Sequence, residues 1–391
     1  MKRIGLIMLA LGLVGAACGT SGGGGTGQSE SSMSTITDGG GGGADAADAD
    51  ADAQPAKLVA AEVRRTDIVS DRPGALRQDA KLINAWGLSF NPAGVAWVSA
   101  NGSGTSEVYD ATGAPRIPAV TIPAPPGSTD PSAPTGQAFN ANPNAFGGDA
   151  FLFVTEDGTI AGWKLADTTN AVLRVDNSAK GANYKGVTIA TGTDGKSRLY
   201  AADFAGGKID VYDDAFAPVA TTGAFADPGI PSGYAPFNVQ EALGGLIVTY
   251  ALQDDAKKDD VKGPGHGFVD VFDLDGHLIV RLVSRGALNS PWGIATSSSG
   301  YGKIPFRLFV GNFGDGRINV YGLHEVDGLA RLVHEGPLGD ASGQPLTIDG
   351  LWALRFGPGA GGFGADQLFF TAGPGDESHG VFGRLDLVRQ P

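Results

Sequence analysis

The chain has 391 residues, 63 of them glycine, with only 18% charged and a formal net charge of −14. That acidity repels phosphate backbones and argues against nucleic acid as a partner, while serving solubility. The length allows one large core or two domains, and a glycine-rich, charge-poor composition points to many strands joined by turns.

The first residues, MKRIGLIMLALGLVGAAC, place two bases before an apolar stretch from Ile4 to Val14, and small residues then lead to Cys18. This is the order of regions in a secretory signal. The apolar part is too short for a membrane span, which needs about 20 residues. Cys18 is the only cysteine, so the remainder contains no disulfide and its stability must come from packing. The arrangement resembles a bacterial lipoprotein signal. The resemblance implies cleavage after residue 17 and a lipid on Cys18 that anchors an exported protein in the bacterial cell envelope. Residues 18–56 are dominated by glycine, serine, alanine and aspartate and read as a flexible tether. The folded body is expected over 57–391.

Within that body one pattern returns six times at intervals of about 50 residues. Its first element appears as NAWGLSF (84–90), PTGQAF (134–139), YKGVTIA (184–190), APFNVQE (235–241), SPWGIAT (290–296) and GLWALRF (350–356). A second strand follows, as in LFVTED (152–157) and LFVGNF (308–313). After a glycine turn comes a third, as in GKIDVY (207–212), GFVDVF (267–272) and GRINVY (316–321). Alternation of apolar and polar residues marks these as strands. Further extended stretches, such as APVATTGAF (217–225) and LIVRLVS (278–284), are expected as fourth strands. Four strands per unit at this period predict an all-β fold, a six-bladed β-propeller. The last unit runs out after three strands, and the extended run KLVAAEVRRTDIVSD near the start of the body belongs to no unit. The simplest closure adds that N-terminal strand to the outside of blade six.

SPWGIA followed by RLFVGNFGDGRINVY resembles the NHL repeat, and the body as a whole resembles an uncharacterised family of exported bacterial proteins, some with PEP-CTERM sorting tails. That likeness implies the fold and supplies no chemistry.

Candidate sites were sought at equivalent positions of the repeat. Asn101, Glu156, Asp203 and Asn312 stand at the tip of the second strand in four units. Converging oxygens there suit Ca²⁺, which lactonase-like propellers hold in this general way. The alternative is that each caps a turn. Near the axis the inner strands carry Gly87, Gly136, Gly186, Asn238, Gly293 and Ala353, small as a narrow axis requires. Just before them come Trp86, Thr135, Lys185, Phe237, Trp292 and Trp352. Trp86, Phe237, Asn238, Trp292 and Trp352 are candidates for a ligand-binding face, or else packing between blades. His266 and His379 precede turn glycines and are candidate bases or metal ligands, or else solvated loop residues. The charged insertion at 253–267 lengthens one face loop and is placed to cover an entrance. GAGGFG (359–364) matches a dinucleotide-binding pattern but leads into a strand, where a helix is needed.

The expectation is a monomeric binding or scaffold module with no required cofactor, tethered by a lipid and recognising a protein, peptide or glycan. The alternative is a calcium-assisted hydrolase or lyase.

Overall fold

In the computed structural model, residues 59–297, 306–326 and 328–389 are described. The expected signal peptide (1–17), Cys18 and the whole of the expected tether (to residue 56) lie outside them. Six antiparallel β-units follow in chain order. Blade one comprises Ala85–Phe90, Ala96–Ala100, Thr105–Tyr109 and Val120–Thr121. Blade two is Pro134–Phe139, Phe151–Thr155, Thr159–Trp163 and Val172–Asp176, and blade four is Tyr234–Ala242, Gly245–Leu252, Phe268–Phe272 and Leu278–Ser284. Blade five is Pro291–Thr296, Arg307–Asn312, Ile318–Val326 and Leu329–Gly339. These expected repeats are therefore antiparallel sheets with their strands in the expected order.

Blade six takes Leu351–Phe356, Leu368–Ala372 and Val381–Arg389 from the end of the chain and Ala61–Ser70 from the beginning. The N-terminal strand runs antiparallel to Val381–Arg389, from Glu62 opposite Arg389 to Ser70 opposite Val381. Its start also pairs in parallel with blade five, Ala61 facing Leu338 and Glu62 facing Gly339. Blades five and six are thereby joined into one sheet, and the outer side of the N-terminal strand is paired at both ends, through Ala61 and Glu62 with blade five and through Val69 and Ser70 with Arg77 and Gln78.

Blade three departs from expectation. It has three strands, Tyr184–Thr191, Ser197–Asp203 and Lys208–Tyr212. The stretch 217–225 begins as a fourth strand, with Val219 N donating to Val211 O (2.8 Å), and then leaves. Gly223 N and Phe225 N donate instead to Asp275 O (2.7 Å) and Gly276 O (2.9 Å) on a turn of blade four. The anchor is Phe225, buried against Tyr200 (6.0 Å between ring centroids) and Phe272 (5.8 Å). Burial of one aromatic ring outweighs the few ladder hydrogen bonds that a longer fourth strand would add.

The core lies between blades and around the axis. A Cβ on Gly293 would sit 2.6 Å from Trp352 O, and one on Gly136 would sit 2.8 Å from Val187 N. Side chains at these positions would force the inner strands apart.

If the N-terminal strand closes the ring, its inward residues must carry stability. Ile68 is buried and Arg64 is exposed. Ile68→Ala is expected to cost about 3 kcal/mol in urea unfolding, and Arg64→Ala less than about 0.5 kcal/mol. Equal effects would show that the strand is dispensable.

Candidate functional site

At the axis, where propellers commonly bind ligands, side chains fill the channel. Trp86 and Trp352 stack with centroids 3.6 Å apart, and Phe313 stacks on Trp352 at 3.8 Å. Trp292 meets both tryptophans edge-on, at 6.3 Å and 5.9 Å. Phe237 tilts against Trp352 at 6.0 Å. Trp86 and Trp352 are each only 1% exposed. The predicted aromatic face is thus an internal plug. Asn238 belongs to the same layer, with Nδ2 donating to Trp292 O at 2.7 Å. Below it only a narrow space of about 20 Å³ remains, lined by residues including Leu88, Val187, Ile294 and Arg355.

An ionic layer covers the plug. Lys185 takes the repeat position that is aromatic in four other blades, and its side chain is 2% exposed. Its ammonium lies 5.3 Å from the Trp86 ring centroid, pairs closely with Glu156 and reaches Asp259 at 3.4 Å. Asn101 Nδ2 donates to Glu156 Oε2 (2.9 Å), and Asn84 Nδ2 donates to Asn101 Oδ1 (3.3 Å) and Glu377 Oε2 (2.6 Å). Asn84 Oδ1 in turn accepts from Trp352 Nε1 at 2.9 Å. The backbone is bent to deliver these groups, with φ of 46° at Asn84 and 63° at Glu377, in the region L-residues seldom enter. Burial opposes charge on both Glu156 and Lys185. Their mutual attraction prevails, holding the carboxyl below and the ammonium above their ordinary ranges. Glu377 has no such cation in contact. Burial, followed by the charge of Glu156, pushes it up to about 7.

The insertion at 253–267 lies across this end. Asp259 reaches Lys185, Lys262 places its ammonium 4.2 Å from the Phe313 centroid, and Gly263 N donates to Asn289 Oδ1 at 2.7 Å.

The four strand-tip residues proposed for calcium do not converge. Asn101 and Glu156 meet in the ionic layer, where Lys185 already neutralises the carboxylate. Asp203 caps its own turn by accepting from Gly206 N (3.0 Å) and ties it to the entry of blade three by accepting from Asn183 N (3.1 Å). Asn312 Nδ2 donates to Ala287 O (2.8 Å) in the loop joining blades four and five and to Asp315 Oδ1 (3.1 Å) in its own turn. These residues do not fit a calcium site, which needs six to eight oxygens about one ion. Among the described residues no group of three His, Cys, Asp or Glu side chains is placed to hold a metal. The two histidines are tied separately. His266 Nδ1 donates to Val261 O (2.8 Å), and His379 Nδ1 donates to Asp71 Oδ2 (2.7 Å), fastening the segment after the N-terminal strand to blade six.

The open space lies elsewhere. A cavity of about 700 Å³ runs between the outer strand of blade two and the third strand of blade three, beside the missing fourth strand. At its base Asn177 Nδ2 donates to the hydroxyls of Tyr184 (2.8 Å) and Tyr212 (2.7 Å), and Tyr184 OH donates to Asp210 Oδ2 (2.7 Å). Lys208 pairs with Asp210 and lies 3.4 Å from Asp203. Lys180 Nζ donates to Asn177 Oδ1 at 2.9 Å. Blade four shows what this position holds when a fourth strand is present. Asp270, at the place of Asp210 in the repeat, faces Arg281 of that strand at 3.5 Å and is fully buried. Burial and the charge of Asp227 push Asp270 up to about 8. Sequence reading missed the groove because 217–225 has ordinary strand character, and nothing local shows that Phe225 docks on the next blade. Lys185 carried a signal, a cation in an otherwise aromatic register.

No family model matches the chain. Uncharacterized protein L690 of Acanthamoeba polyphaga mimivirus is 32% identical over 322 residues, spanning 78% of this chain and 81% of that protein. Uncharacterized protein R648 of the same virus is 31% identical over 334 residues, spanning 81% and 78%. A solved structural-genomics protein of unknown function from Bacteroides thetaiotaomicron superposes with a TM-score of 0.51 at 11% identity, covering 83% of this chain and 76% of that one, a likeness of fold alone. The sequence motifs point to exported bacterial proteins, whereas these relatives are viral. With such identity along most of both sequences, the chain belongs to the family of mimivirus proteins L690 and R648.

Proposed function

We propose that this β-propeller is an exported, lipid-anchored binding module of the cell envelope, with the groove between blades two and three as its binding surface. One observation carries the binding reading. The axis is closed by the Trp86–Trp352–Phe313 stack and the Glu156–Lys185 pair, while the roomy concave space is peripheral. Export and anchoring rest on the N-terminal sequence through Cys18. Residues 18–56 would hold the folded body off the membrane.

The reading makes the axial layer structural. Lys185→Met strands Glu156 without its cation and is expected to cost about 3 kcal/mol or more in unfolding free energy. Because Glu377 has a raised pKa in the folded state, the fold binds more protons than the unfolded chain between about 4.5 and 7. Its stability contribution is therefore best below that window and is lost as pH rises through it. Glu377→Gln should stabilise the protein at pH 8 by about 1 kcal/mol, allowing for partial exposure, and have little effect at pH 4. A pH-independent effect of this substitution would remove the axial carboxyl from the stability account.

The calcium-assisted alternative is tested by thermal unfolding. Millimolar Ca²⁺ or chelator should leave Tm unchanged, and a calcium-dependent rise that chelator reverses would restore the enzyme reading. For anchoring, Cys18→Ser is expected to move the protein from the membrane fraction to the soluble fraction. Retention with membranes would refute the lipid anchor.

A further inference from the structure

We infer that the groove between blades two and three takes a neutral, polyhydroxylated ligand, an oligosaccharide; this rests on the binding-module reading and specifies its ligand. The lining carries three bases, Arg174, Lys180 and Lys208, and three acids, Asp176, Asp203 and Asp210, within a chain of net charge −14. The two signs balance in number, and two of the bases are held in ion pairs. Arg174 holds the buried Asp149 through two hydrogen bonds of 2.7 Å, and Lys208 holds Asp210. Lys180 is bonded to the neutral Asn177 and Asp176 to the neutral Ser178, so one base and one acid of opposite sign face the cavity and offset each other. The lining as a whole therefore favours neither an anion nor a cation, and a neutral ligand disturbs no pair.

The hydrogen-bonding capacity left over is dense and of both kinds. An ammonium has three donors and a carboxylate about four acceptor sites, so Lys180, Lys208, Asp176 and Asp210 can each make further bonds without breaking a pair. Ring hydroxyls of a sugar, each donor and acceptor, match that mixture. Phe216, half-buried beside the cavity, supplies apolar surface for the C–H face of such a ring. The volume of about 700 Å³ lies within the range of small-ligand sites and exceeds what one monosaccharide needs.

The open edge of blade three also invites an extended peptide, but little of it is free. Val219 already donates to Val211 O, so Val211 points its backbone outward and, by the two-residue alternation, so does Ile209. An added strand would find mainly the Ile209 end, too short a ladder to carry affinity by main-chain bonding.

The test is binding of the full chain to an array of neutral and acidic glycans and to a displayed peptide library, with Ala205→Trp filling the groove and the distant, exposed Arg331→Ala as control. Unchanged Tm shows that each variant is folded. The expected result is retention of neutral oligosaccharides by the wild type and by Arg331→Ala, weakened about tenfold or more by Ala205→Trp. Binding of acidic glycans or peptides alone, lost in Ala205→Trp, would overturn the oligosaccharide assignment and leave the binding-module reading standing. Ligands that bind equally well to Ala205→Trp, or no binding by the wild type, would overturn both.

Discussion

The pairing of Ala61–Ser70 with Val381–Arg389 is the contact on which the ring depends. A propeller made only of consecutive units would leave the last blade short of a strand and its edge open to other chains. Here the two ends of the folded body complete one sheet, and the parallel bridge to Leu338 and Gly339 ties blade five into it. His379 reinforces the join from outside through Asp71. Without closure the inner strands would have no common axis, and the side chains that meet there would remain far apart.

Closure also sets the scale of the axis. Glycines at the inner positions let backbone pass close to backbone, which leaves a channel narrow enough for six large side chains to fill. Aromatic rings answer this requirement with large apolar area and few rotatable bonds. Their polar atoms then need partners. Asn84 serves Trp352, and Lys185 O serves Trp292. The buried cation placed among the rings, Lys185, brings an obligation of its own, because a buried ammonium must be paired. Glu156 meets it from the neighbouring blade and Asp259 from the insertion. The polar layer over the plug is thus largely a consequence of Lys185.

Blade three shows how a repeat gains a concave surface. Where blade four sets Arg281 of its fourth strand against Asp270, blade three leaves Asp210 beside open space. The cause is Phe225, whose ring is worth more buried against Tyr200 and Phe272 than its backbone is worth in a ladder. A local departure from the repeat therefore makes a cavity of about 700 Å³ at the side of the ring.

Strands, turns and the six-fold repeat were legible in the chain because they are local. Period-two alternation and a turn glycine act within some twenty residues, and each copy states them again. Even ring closure followed from counting strands against units. The small inner ring was legible for the same reason, since Gly87, Gly136 and their counterparts stand at one register. What a given polar residue touches was not legible. Asn101, Glu156, Asp203 and Asn312 share a repeat position, yet two meet in the axial layer and two bond their own turns and the connections leading into their blades. Asn84 and Glu377 are 293 residues apart, and Lys185 and Asp259 are 74 apart. The sequence by itself determined the number of blades and their register, through short-range patterns of burial. Only the closed ring decided that the axis is sealed and the groove lies at its side, because those outcomes depend on side chains brought together from distant blades.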